Sequence, residues 1–206
     1  MLKHCKTQCI HFQRRDYLVD IKSSDDMQGE LAERLTTDFN GKTINLVKSL
    51  GIEKESVIYP GELVVIQAPP KSMKTMLLQN WVNTFKRKTY FLEMEMSPRQ
   101  MWMRFVMINN KWDEEQLKEY YSQYSNGISK DFDWLTVDYS SCFAHELQKR
   151  IQMLPQKPEI VVVDHMGLFK SKRTDNNMKV EEVSQSLMEL AIHNNIIVFA
   201  VSEITK

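Results

Sequence analysis

The chain has 206 residues, 42% hydrophobic and 26% charged, which is enough for one packed α/β domain and a short appendage. Lysine plus arginine number 27, as do aspartate plus glutamate, for a formal net charge of zero. No global positive field therefore draws nucleic acid in, and any such contact needs a local basic patch. Three cysteines make no disulfide framework and point to a reducing compartment. No apolar run suits a signal peptide or the ~20 residues that span a bilayer, so a soluble, cytoplasmic protein is expected.

In chain order, His4, Cys5, Cys9 and His11 come first. They crowd together without the second, distant ligand pair that a structural zinc site uses, so the spacing does not support a metal centre. Ser24-Asp25-Asp26 reads as a helix cap. Leu31, Leu35 and Phe39 then recur at helical spacing, and Asn40-Gly41 ends the helix. A second helical stretch is expected over 44–50. From Gly61 the pattern alternates. Strands are expected over 62–67, 88–92, 134–137, 160–163 and 196–201, and helices over 75–85, 97–107, 112–124, 144–154 and 180–193. Apolar strands separated by helices argue an α/β fold, a mainly parallel sheet of about five strands with helices on both faces. The strands of Val65 and Val162 show no polar alternation and are expected to be central. The dense basic clusters are Lys86-Arg87-Lys88 and Lys170-Ser171-Lys172-Arg173, each of which also reads as a solvated loop.

The strongest local signal is Ala68-Pro69-Pro70-Lys71-Ser72-Met73-Lys74-Thr75 between a strand and a helix. A phosphate-binding loop has glycine, four residues, glycine, lysine and a hydroxyl residue in that setting. Its backbone amides and the helix N-terminus bind phosphate, the lysine reaches the outer phosphates, and the hydroxyl holds Mg2+. Lys74 and Thr75 stand in the last two places. Both glycines are missing, replaced by Ala68 and Met73, and a methionine forced into the glycine conformation is strained by about 1–3 kcal/mol. The segment alone also reads as an ordinary helix start. About ninety residues on, Ile160-Val161-Val162-Val163-Asp164 is an apolar strand ending in a carboxylate, as in a Mg2+-orienting Walker B element.

Four segments, in order, resemble DnaB-type hexameric replicative helicases, whose motor is a RecA-like P-loop NTPase core. They are the phosphate-loop segment, Tyr90-Phe91-Leu92-Glu93-Met94-Glu95-Met96-Ser97, the 160–168 strand with Glu182-Val183-Ser184, Ser186-Leu187 and Leu190-Ala191 after it, and Ala200-Val201-Ser202-Glu203-Ile204-Thr205-Lys206. The resemblance covers residues 61–206. It implies ATP or another nucleoside triphosphate with Mg2+ as cofactors, bound by residues 68–75. It also implies Thr75 and Asp164 at the metal, Glu95 as the catalytic acid that polarises the attacking water, and Glu203 in the place of a γ-phosphate-sensing glutamine. Lys170, Lys172 and Arg173 fall in a loop that would meet DNA. Single-stranded DNA and further copies of the chain, a hexameric ring in the complete protein, are the implied partners, in a bacterial host cell if the protein is phage-encoded. The implied organisation is an N-terminal segment and linker helix over 1–58, docking on a neighbouring subunit, and a RecA-like core over 59–206, cut short at its C-terminus. Phage primase-helicases and RecA-type recombinases share the fold.

Three functions compete. One is an ATP-driven DNA-unwinding motor. Another is a degenerate nucleotide-binding module with little or no hydrolysis, acting in assembly or regulation of a replication complex. The lost glycines, Glu203 and the absence of an identifiable arginine finger favour it. The third is a recombinase-like filament protein, against which the Glu95-Met96-Ser97 segment argues.

Overall fold

In the computed structural model the described residues are 23–38, 43–49, 51, 56–124, 128–172 and 175–203. His4, Cys5, Cys9, His11, Asn40-Gly41, Arg173 and Ile204-Thr205-Lys206 lie outside them. The chain divides into two compact units, Met1–Asn40 and Gly41–Lys206.

In the first unit, helix α1 (Ser24–Asp38) is capped one residue earlier than expected. The Asp26 amide donates to Ser23 Oγ (3.2 Å) and the Ser23 amide donates to Asp26 Oδ2 (3.0 Å), which satisfies two backbone donors reciprocally. Met27 and Leu31 on this helix are exposed.

The second unit opens with β1 (Ile44–Asn45), a single helical turn α2 (Leu46–Ser49) and β2 (Val57–Ile58), which pairs antiparallel with β1. The helix expected over 44–50 is thus a bridge followed by one turn. Ile44 and Ile58 are buried within the main core, and that tertiary burial overrides the local helical pattern.

The main sheet follows as β3 (Leu63–Ala68), β4 (Thr89–Glu93), β5 (Leu135–Asp138), β6 (Ile160–Asp164) and β7 (Ile197–Glu203). Between them run α3 (Lys74–Phe85), α4 (Pro98–Asn110), α5 (Glu114–Gln123), α6 (Leu147–Gln152) and α7 (Asn176–Asn194). The strand order is β3-β7-β6-β4-β5, and every ladder is parallel. Five parallel strands covered by helices match the expected fold class. Val162 lies on the middle strand, as expected, whereas Val65 does not. Among the described residues β3 is an edge strand, and Val65 is 37% exposed. The last strand, β7, inserts between β3 and β6. An apolar run reveals cover on both faces but not how many neighbours flank the strand.

Side chains alternate between two cores. Phe91, Ile160, Val162, Phe199 and Val201 face α3, α4 and α5, where Leu78, Trp81, Met101, Phe105 and Leu117 pack. Tyr90, Leu92, Val161, Val163, Val198 and Ala200 face α6 and α7, where Leu147, Ile151, Val183, Leu187 and Ala191 pack. At the end of β5, Asp138 accepts hydrogen bonds from the Tyr90 hydroxyl and from Arg150 Nη1 (2.7 Å). Burial opposes its ionisation, but the bonds from Ser140, Tyr90 and Arg150 outweigh it and hold the carboxyl at about 2.

Candidate functional site

Parallel strands deliver their C-terminal ends to one edge, where ligands of open α/β sheets bind. The expected phosphate loop spans the β3–α3 connection. Lys71 (φ 65) and Met73 (φ 62, ψ 25) both adopt the left-handed conformation, so the residue in the second glycine's place has the backbone that glycine would take. The Ser72 hydroxyl closes the loop by donating to the Pro69 carbonyl (2.7 Å). Met73 precedes the first turn of α3 and offers no side-chain cap, leaving that turn's amides without a capping oxygen from it.

Lys74 is only 8% exposed, and its ammonium is engaged. It donates to the carbonyls of Ala68 (3.2 Å) and Pro69 (2.8 Å) and pairs with Glu203 Oε1 at 3.3 Å. Strand register explains the pair, because Ala68 and Glu203 are partners at the ends of β3 and β7. The expected repulsion between Glu203 and an anion is therefore met, in this structure, by an internal counter-ion.

Asp164 ends the central strand and is 2% exposed. Burial pushes its carboxyl above the usual range, against the opposing hydrogen bond from Thr75 and the nearby His165. Its Oδ2 is buried without a partner among the described residues. Beside it in register stands Glu93, 1% exposed. Burial pushes Glu93 up to about 7, with its backbone bonds to Met96 and Glu95 pulling the other way. Glu95 itself is exposed, in the turn that leads to α4.

Apart from Glu93, these groups line one cleft of about 370 Å³, whose walls include Lys71, Ser72, Met73, Lys74, Thr75, Glu95, Asp164 and Glu203. Ala68, Pro69 and Pro70, the first residues of the expected loop, do not line it. Arg104 and His165 also line the cleft, and sequence reading missed both. Arg104 stands seven residues past the Ser97 cap, two helical turns along α4, a periodicity that marks it only once the helix is placed. Glu93 was passed over as part of a strand, although Glu93-Met94-Glu95 puts two acids at one strand end. Lys170 and Lys172 are exposed in the β6–α7 connection and do not line the cleft. A second cleft of similar size, about 350 Å³, opens around Lys88, Trp134 and Pro155. Neither size nor a lysine beside a hydroxyl separates the two; the convergence of three acids, Glu95, Asp164 and Glu203, on Lys74 and Thr75 does.

Mg2+ favours one or two protein oxygens and completes its shell with water and phosphate. The Thr75 hydroxyl near Asp164, and the unpartnered Asp164 Oδ2, fit that role. Among the described residues no three His, Cys, Asp or Glu side chains form an all-protein metal cage. None of the described helices is long and apolar enough to cross a membrane.

The replicative DNA helicase DnaB of Buchnera aphidicola subsp. Baizongia pistaciae is 24% identical over 178 residues, covering 74% of this chain and 37% of its own length. DnaB of Mycoplasma genitalium is 26% identical over 174 residues, covering 71% and 36%. This chain thus spans little more than a third of the curated relatives it matches. A DnaB-like replicative helicase, solved together with its interactions with primase, superposes with a TM-score of 0.57 at 15% identity, covering 72% of this chain and 40% of that one, a likeness of fold. The profile of the DnaB-like helicase C-terminal domain matches residues 53–206, most of the sequence and all five strands of the main sheet, and the chain belongs to that family.

Proposed function

We propose that the chain is the ATP-driven motor core of a replicative helicase. It binds ATP with Mg2+ in this cleft, hydrolyses it at interfaces between copies arranged as a ring, and so moves on single-stranded DNA during replication in the cytoplasm. The observation that carries this reading is the convergence of Lys74, Thr75, Glu95 and Asp164 on one cleft from three separate parts of the chain. In the proposed mechanism the loop amides and the start of α3 receive the phosphates. Lys74 leaves Glu203 and turns to the outer phosphates. The Thr75 hydroxyl and Asp164 hold Mg2+, which when bound offsets charge developing on the phosphates. Glu95, exposed and free to approach, orients the attacking water. Arg104 adds a cation to the same wall, and Lys170, Lys172 and Arg173 meet the DNA backbone.

Lys74→Ala is expected to abolish ATP binding, and Glu95→Gln to keep binding but stop hydrolysis. Titration with a fluorescent ATP analogue and a phosphate-release assay, with and without single-stranded DNA, check both. Equal hydrolysis by the parent and Glu95→Gln would refute the assignment. The second reading, a nucleotide-binding module with little turnover, is favoured by the left-handed Met73 and the Lys74–Glu203 pair. Tight binding without DNA-stimulated hydrolysis in the parent would select it.

A further inference from the structure

Between β4 and α4 the chain turns out of the buried sheet into the cleft, and Met94 to Ser97 make that turn. The Met94 amide donates to the Asp164 carbonyl on the adjacent strand (3.0 Å). The amides of Glu95 and Met96 both donate to Glu93 Oε1, each at 2.8 Å. Ser97 then caps α4. Among the described residues the exposed Glu95 side chain makes no hydrogen bond that would aim it, so its direction is set by the backbone that carries it. Glu93 is 1% exposed, at a strand end where an aliphatic side chain would be cheaper to bury. Two amides converging on one carboxyl oxygen offset that cost in either protonation state, and more strongly when the group is ionised. Glu93 also sits in register beside Asp164, so the turn is tied to the same pair of strands that carries the buried acid.

We propose that Glu93 is a positioning residue for hydrolysis. By gathering the Glu95 and Met96 amides it holds the turn that presents Glu95 to the cleft, without itself touching the reacting atoms. This rests on the reading of Glu95 given above. Loss of the acceptor lets the turn relax, and a misplacement of about 1 Å in such a group costs on the order of 100-fold in rate.

The test uses the full chain and the variants Glu93→Leu, which removes both acceptor oxygens at similar volume, and Glu93→Gln, which keeps one. Glu95→Gln is the control. Glu93→Leu is expected to lower kcat by about 10- to 100-fold with KM for ATP within about two-fold, whereas Glu93→Gln keeps most of the turnover. In parallel, hydrogen–deuterium exchange at the Glu95 and Met96 amides should be at least about ten-fold slower than for an unstructured chain, slow also in Glu93→Gln and fast in Glu93→Leu. Wild-type turnover in Glu93→Leu, or Glu93→Gln as slow as Glu93→Leu, overturns the proposal. So do unprotected amides in the parent, a measurement that stands even if Glu93→Leu fails to fold. If the parent hydrolyses no faster than Glu95→Gln, the catalytic reading of Glu95 fails, and with it the claim that Glu93 positions a catalytic group; protected amides would then leave only the turn.

Discussion

Lys74 and Glu203 decide how readily the loop can receive an anion. The ammonium is buried against two carbonyls and one carboxylate, so an incoming phosphate must replace the carboxylate and then tolerate it nearby. Glu203→Gln removes both obstacles while keeping a polar side chain. The expected result is ATP affinity raised roughly three- to ten-fold, the range of a partly buried ion pair. Fluorescent-nucleotide titration measures it, and an unchanged Kd would mean that the pair yields at no cost. Glu93 gives a pH signature. Its carboxyl is raised to about 7, so between ~4.5 and 7 the folded chain holds a proton that the unfolded chain has released. Stability contributed by this group is present below ~4.5 and lost as pH rises through 7. The loss is on the order of 3 kcal/mol, from the size of the shift. Asp164, also raised, acts in the same direction. Urea unfolding of the nucleotide-free chain should show lower stability at pH 8 than at pH 5, with a flatter profile for Glu93→Gln. A parallel profile for that variant would assign the slope elsewhere.

The elements show which features could be read in advance. Buried strands announced themselves as apolar runs. Lys74, Thr75 and Asp164 were legible by local pattern, Glu95 and Glu203 only through the family resemblance, and all five line one cleft. The edge position of β3 was not legible, because strand order depends on where β7 inserts. Glu93 and Arg104 were not legible either, because a strand-end acid and a surface arginine acquire meaning only from what they face. Helix α4 shows local chemistry acting at the site. The Gln100 amide donates to Ser97 Oγ (3.4 Å), the Ser97 amide donates to Gln100 Oε1 (3.2 Å), and Pro98 occupies the first turn. Ser97→Ala is expected to cost about 1 kcal/mol, and Ser97→Gly only a few tenths. Thermal unfolding of the two variants compares them, and equal losses would show that the side-chain cap contributes little.

At the scale of the molecule, the zero net charge sets no overall repulsion between copies. Helix α1 presents Met27 and Leu31 to solvent, an apolar face that needs a partner, and the family resemblance implies docking on a neighbouring copy. Deleting residues 1–40 should therefore reduce the weight-average mass seen by light scattering at equal concentration. An unchanged mass would place the self-contact within residues 41–206. The sheet itself is unevenly stiff. Asp164 rides on β6, which has a strand on each side and is buried throughout, whereas Lys74 and Thr75 hang from β3, held by one ladder among the described residues and partly open to water. Compliance in the cleft is thus concentrated on one wall. Closure around a bound molecule should be an excursion of the loop toward a stationary acid, and the work of gripping should fall on β3 and its ladder to β7.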